Sequence, residues 1–239
     1  MNIHVLPGDS LTAEFAQTGI DGDVIVCRDT LIAGDITEEN LDLFWDIRAN
    51  FVMLEYGGDP IEYREGVAYE LERLTDLEPE TEVNLWFEYE LFCQANMWFC
   101  LDLLNDHENI YRVAPLNASP DDVWKGFGRH DAPMLNECFQ ERTKFTAEDV
   151  EKGRELWDAF RKRDSERLLE LGNYRSARFP FLKETSTAAA EIETRPKAIL
   201  KEITATGASD IETVFPEFQK RAGVYGYGDL QVERLLEKL

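Results

Sequence analysis

The sequence predicts an α/β fold: a mostly parallel sheet of four strands with helical crossovers, followed by an all-helical C-terminal region. Three observations carry this reading. Short apolar runs alternate with helical patterns over residues 1–117, the order expected of parallel strands joined by right-handed crossovers. The run "DVIVC", residues 23 to 27, is β-branched and apolar, which suits a strand covered on both faces. Beyond about residue 118 the strand patterns stop, and capped helical patterns follow one another to Leu239.

Taken in order, Ile3 to Leu6 forms the first strand, and "PGDS" turns into a short helix in "LTAEFAQTG", with apolar Leu11 and Phe15 and a closing Gly19. "DVIVC" is the second strand. Two helical patterns follow, near Glu38 to Leu54 and near Ile61 to Leu74, separated by "YGGDP". "EVNLWF" at 82–87 and "IYRVA" at 110–114 supply the third and fourth strands, and between them a helix starts near Glu90 with Trp98, Phe99, Leu103 and Leu104 at core spacing.

The predicted division is an α/β domain at 1–117 and a helical domain at 118–239. "SPDD" opens the second with Ser119 as N-cap and Pro120 at the first helical position. "TAEDVEKGRELWDAFRKRD" has Thr146 as N-cap, acids in its first turn and Arg161, Lys162 and Arg163 in its last, matching the helix dipole at both ends. Further helices are expected at about 165–171, 180–191, 196–206, 209–222 and 228–238. The last three read as a helix-turn-helix-like tail around "GVYGYGD". Its third helix carries Asp229, Glu233 and Glu237 against Arg234 and Lys238, a poor face for a phosphate backbone, so a packing or protein-partner module is favoured over a DNA reader.

Forty-eight acidic against 25 basic residues give a net charge of −23, which opposes association with nucleic acid or anionic membrane. No stretch approaches the roughly 20 apolar residues of a membrane span, and "MNIHVLPGDS" lacks a signal-peptide pattern. A soluble, cytoplasmic protein is expected. Cys27, Cys93, Cys100 and Cys138 show no CxxC pair and no His at ligand spacing, so they read as reduced, buried thiols. His4, inside the first strand, reads as a hydrogen-bonded core histidine.

In a parallel sheet, ligands gather at the carboxyl ends of the strands, and those ends carry a polar set. Gly8, Asp9 and Ser10 follow the first strand, Arg28 and Asp29 the second, and Glu88 and Glu90 the third, with Gln94 one turn beyond Glu90. A glycine turn at a helix start offers N–H groups to an anion, but neither GxGxxG nor GxxxxGK[ST] is present. Asp9 or Ser10 as a plain helix cap is the simpler reading there. Arg28 is placed to neutralise Asp9 or Glu88, and Asp29 stands where a dinucleotide fold often keeps its ribose-binding acid. Helix capping accounts for one of Glu88 and Glu90 but less easily for both. If Asp9, Glu88 and Glu90 converge, mutual repulsion raises one pKa, as in a general acid or base, unless a cation such as Mg²⁺ keeps them ionised. The expected ligand is small and polar, nucleotide-like or another metabolite; no reaction is specified. The alternative is a regulatory protein that contacts a partner through its C-terminal helices.

The ordered segments "IHVLPGDS", "VIVCRDTLIAGDI" and "LWFEYELFCQ" resemble the bacterial family catalogued as domain of unknown function eighteen thirty-five. The stretch with "GYGD" is similar to the helical C-terminal domain commonly joined to it. Cys27 stands where the family usually has Trp, and Glu90 where Asp is common; the latter keeps a carboxylate and lengthens its reach. The resemblance implies a Rossmann-like N-terminal domain in a soluble bacterial protein, no particular activity, and the same positions Gly8, Asp9, Ser10, Arg28, Glu88, Glu90 and Gln94.

Overall fold

The computed structural model describes residues 1–116, 122–205, 207 and 209–239. Strands β1 (Asn2–Leu6), β2 (Asp23–Val26), β3 (Glu82–Trp86) and β4 (Ile110–Val113) form a parallel sheet, and β5 (Thr143–Lys144) joins it antiparallel, in the order β2-β1-β3-β4-β5. The four expected strands are all present. The fifth comes from the region expected to be all helical. It pairs Tyr111 with Lys144 and Arg112 with Thr143, and two exposed residues between helices carry too little apolar signal to be seen as a strand.

Helix α1 (Thr12–Gln17) follows β1, and α2 (Leu41–Tyr56), α3 (Pro60–Tyr63) and α4 (Tyr69–Glu72) lie between β2 and β3, with a π-helical turn at Arg64–Ala68. Helix α5 (Leu91–Leu103) links β3 to β4, and α6 (Ala132–Gln140) precedes β5. The rest is helical: α7 (Ala147–Arg161), α8 (Ser165–Leu171), α9 (Leu182–Ala190), α10 (Arg195–Thr204), α11 (Ile211–Ala222) and α12 (Asp229–Glu237). Thr146 caps α7 in a reciprocal box with Asp149. The expected start of a helix at Ser119 and Pro120 lies outside the described residues.

Period-2 alternation divides the strands between two cores. Ile3, Val5, Val83, Leu85 and Phe87 face a large core that continues through α5 and α7 to Phe218 and Val232, whereas Leu6 and Trp86 face a smaller one with Phe15, Leu135 and Cys138. The chain after residue 118 therefore contributes to both faces of the sheet: α6 packs beside α1, and α7 packs on α5. Helix α5 has buried residues all along it, Leu91 to Leu101 with the exception of Phe92, because it lies between the sheet and the helical region. Such a helix is largely apolar all round.

Two polar groups in the cores are fully paired. His4 accepts from Trp86 Nε1 through Nδ1 (3.2 Å), and its Nε2 lies 3.3 Å from the Asp21 carbonyl. Burial lowers its pKa, so it is a neutral core histidine as expected. Asp29 and Arg48 form an ion pair with both side chains fully buried, at 2.8 and 3.1 Å, completed by Tyr63 Oη at 2.8 Å and the Thr30 amide at 2.7 Å. Arg48 also donates to the carbonyls of Ala33 and Thr30, which fixes the loop leaving β2 against α2. Removing one partner of such a pair leaves an uncompensated buried charge. Arg48→Met is expected to lower stability by about 3–5 kcal/mol, read by chemical denaturation. A loss under about 1 kcal/mol would show that Asp29 finds water or another cation.

Candidate functional site

At the carboxyl ends of the strands the predicted polar residues divide into three separate groups. Gly8 precedes a short 3-10 turn (Asp9–Leu11) and makes no side-chain cap, and Ser10 is exposed. Asp9 caps nothing. Its carboxylate receives Arg28 Nε at 2.9 and 3.0 Å and Nη2 at 2.9 Å, while Arg28 Nη1 donates to the Gly66 carbonyl at 2.8 Å. With side chains 36% and 66% exposed, this pair is solvent-screened and contributes little to stability. Asp29 is withdrawn from any ligand by Arg48 and Tyr63. Of the two acids open to Arg28, Asp9 and Glu88, it pairs with Asp9, and among the described residues no hydrogen bond or ion pair joins Asp9 or Arg28 to Glu88.

Glu88 and Glu90 do come together. Beyond β3 the chain turns at Glu88–Tyr89–Glu90 and enters α5, with Glu90 as N-cap accepting from the Cys93 amide at 3.1 and 3.2 Å. Glu88 accepts from the Phe127 amide at 2.6 Å, and Cys93 Sγ lies 4.0 Å from it. Gln94 does not point toward a ligand. Its amide donates to the Glu88 carbonyl at 2.5 Å, which holds the turn between strand and helix.

Two glycines with positive φ seal this turn. Gly126 (φ 57°) lies so close to Glu88 that a Cβ would overlap the carboxylate, and Gly226 (φ 69°) lies so close to Glu90 that a Cβ would come within 2.7–2.8 Å of it. Both positions combine left-handed backbone with close approach, which only glycine tolerates. The GYGD segment of the tail therefore sits on the β3–α5 junction. It is latched there by Gln231 Nε2, which donates to Thr30 Oγ1 at 2.8 Å, and by an ion pair between Lys238 and Glu55.

Burial dominates the electrostatics. Glu90, 5% exposed, is pushed up to about 8 by desolvation and then by the Glu88 charge, against the downward pull of its bonds to Cys93. Glu88 is raised by burial and held back by the Phe127 amide. Cys93 is raised by burial and by both acids, so its thiol is protonated and a poor nucleophile. Beneath the turn, Arg112 is buried and among the described residues has no carboxylate partner; its Nη1 contacts Met97 Sδ, its Nη2 reaches the Phe87 and Glu88 carbonyls at 3.4 Å, its Nε has no partner among those residues, and burial lowers it to about 10.

Glu88, Glu90 and Cys93 offer ligand atoms that all lie within 4.8 Å of one another. Mg²⁺ takes oxygen ligands and keeps several waters; of the three groups the two carboxylates are of that type and the Cys93 thiol is not. Without a cation the carboxyls bring proton-holding and hydrogen-bonding capacity.

An open surface cavity borders this turn and has little local signal in the sequence. It has a volume of about 320 Å³ and is bordered by Thr30, Tyr56 and Phe92 on one side and Gly226, Gly228, Leu230 and Gln231 on the other. Its one sequence signal was the glycine-rich "GYGD", read as a turn between helices. All four cysteines are free and buried, as expected. Among the described residues no helix is long and apolar enough to cross a membrane. Comparison with protein-family models, curated proteins and solved structures returns no match.

Because Glu90 is raised above its ordinary 4.5, the folded chain keeps a proton that the unfolded chain releases between about pH 5 and 8, so stability falls as pH rises through that window. His4, whose pKa is lowered, acts oppositely below about pH 6.5, but equally in parent and variant. Glu90→Gln, which imitates the protonated acid, is expected to flatten the decline and to exceed the parent by about 1–4 kcal/mol at pH 8. Parallel pH–stability curves for the two proteins would contradict the raised pKa.

Proposed function

We propose that the protein binds a small polar ligand, nucleotide-like or another metabolite, at the carboxyl ends of its strands, in the cleft that the C-terminal tail closes. One observation carries this reading: the 320 Å³ cavity borders the loop leaving β2 at Thr30 and the first turn of α5 at Phe92. Those segments leave β2 and β3, the strands on either side of β1, at their carboxyl ends, the end of the sheet at which open α/β folds take their ligands. The cavity wall holds a hydroxyl and an amide that at present bond each other, Thr30 and Gln231, and both can exchange that bond for hydroxyl or amine groups of a ligand. Gly226 separates the cavity wall from Glu90, so movement of the tail would expose a carboxyl group whose pKa suits proton exchange near neutrality.

The order of the three motifs supports membership of the bacterial family of unknown function eighteen thirty-five, and a cytoplasmic location belongs to the same reading. The interaction reading has less support, since the tail buries Ile199, Leu200, Val214, Phe218 and Val232 inside this chain. DNA reading has less still: α12 keeps its acids, and Lys238 is paired with Glu55.

A thermal-shift screen of nucleotides, sugar phosphates and amines, each with and without Mg²⁺, is expected to find compounds that raise the midpoint by a few degrees. The rise should shrink in Gln231→Ala. Failure of every compound to stabilise the parent would sink the proposal.

A further inference from the structure

The cleft has a second compartment with a different chemistry. It has a volume of about 240 Å³ and shares Tyr56 and Gln231 with the first. One wall is the loop leaving β2, Ile32 to Gly34, with Phe51 and Glu55 of α2; the other is Ile192, Glu193 and Lys197 with Tyr227 and the inner side of α12. Gly34 (φ 79°) lies so close to Phe51 that a Cβ would approach its ring to 2.6 Å, so the loop backbone can lie against the aromatic side chain.

Two properties distinguish this compartment from the surface around it. Three aromatic side chains line it, Phe51, Tyr56 and Tyr227, held by ring contacts: Phe51 to Tyr56 edge-on at 5.8 Å, and Tyr227 stacked on Phe218 at 6.0 Å. Three cations also line it, Lys197, Arg234 and Lys238, against two acids, Glu55 and Glu193, in a chain whose acids outnumber its bases by 48 to 25. Lys197 is the least committed of the three, 3.9 Å from Glu193. Arg234 bonds Glu237 through Nη1 at 2.8 Å while its solvent-shielded Nε has no partner among the described residues, and Lys238 is paired with Glu55.

We propose that this compartment binds an aromatic anion of the nucleoside monophosphate class, with the base among Phe51, Tyr56 and Tyr227 and the phosphate on Lys197 and Arg234. Base–aromatic stacking tolerates any base, and a guanidinium beside an ammonium matches a phosphate in charge and hydrogen-bond geometry. The inference deepens the proposed function and rests on it for the position of the cleft, but it uses side chains distant in sequence from Glu88 and Glu90.

Calorimetric titration with AMP, adenosine and inorganic phosphate as probes tests it on the full chain. AMP is expected to bind, with adenosine and phosphate each at least about tenfold weaker, and Lys197→Gln/Arg234→Gln to weaken AMP about tenfold or more. Both substitutions remove only partly exposed pairs, so folding is retained, and circular dichroism checks it. Equal AMP affinity in parent and double variant overturns the site. Absence of saturable binding of AMP, GMP, CMP and UMP overturns the ligand class; if other compounds still stabilise the protein, the cleft survives without it, and if none does, both readings fall.

Discussion

Desolvation of the Glu90 carboxyl is the constraint around which the carboxyl end of the sheet is arranged. Strand β3 ends at Trp86, Phe87 follows it fully buried, and α5 is buried from its first residue, so Glu90 is buried at the junction while Glu88 and Tyr89 are only partly exposed. A helix start still needs its orphan N–H groups satisfied, and Glu90 does this for Cys93. The cost of burying that acid is met by retention of its proton rather than by a cation. Glycine at 126 and 226 then lets two distant segments close directly over the pair of acids. A longer side chain at either position would hold the chain off the turn.

The same closure joins the two halves into one unit. The sequence divides the chain at about residue 117, and residues beyond that point pack on the sheet: α6 lies beside α1, β5 extends the sheet's edge, and α7 covers α5. Helix α5 explains why. It is buried on nearly every side, polar Gln94 and Asn96 included, which a helix lying on a sheet with solvent behind it would not be, and the helical region supplies the cover. The tail then reaches the strand ends through Gly226 and Gln231.

Elements with strong periodicity or caps were legible in the sequence. The apolar runs located all four parallel strands, Thr146 marked the start of α7, and the tail helices fell close to their expected bounds, because these signals are local. The site was legible only in part. Strand order placed Glu88 and Glu90 together beyond β3, but which charges pair is decided by distance in three dimensions. Arg28 sits beside Asp9, Asp29 is taken by Arg48 of a helix nineteen residues on, and Gln94 bonds a backbone carbonyl. The contributions of Gly126, Gly226, Arg112 and the aromatic–cationic compartment arise from contacts between segments far apart in the chain, for which periodicity carries no signal.

The central claim is that Glu90 is a buried, protonated acid under a glycine seal, at the point where the sheet opens toward its cleft. Carbon-13 NMR titration of the glutamate side-chain carboxyls, assigned with Glu90→Gln, measures it directly. The account predicts one carboxyl titrating near pH 8 that is absent from the variant; titration of Glu90 near its ordinary 4.5 would contradict it.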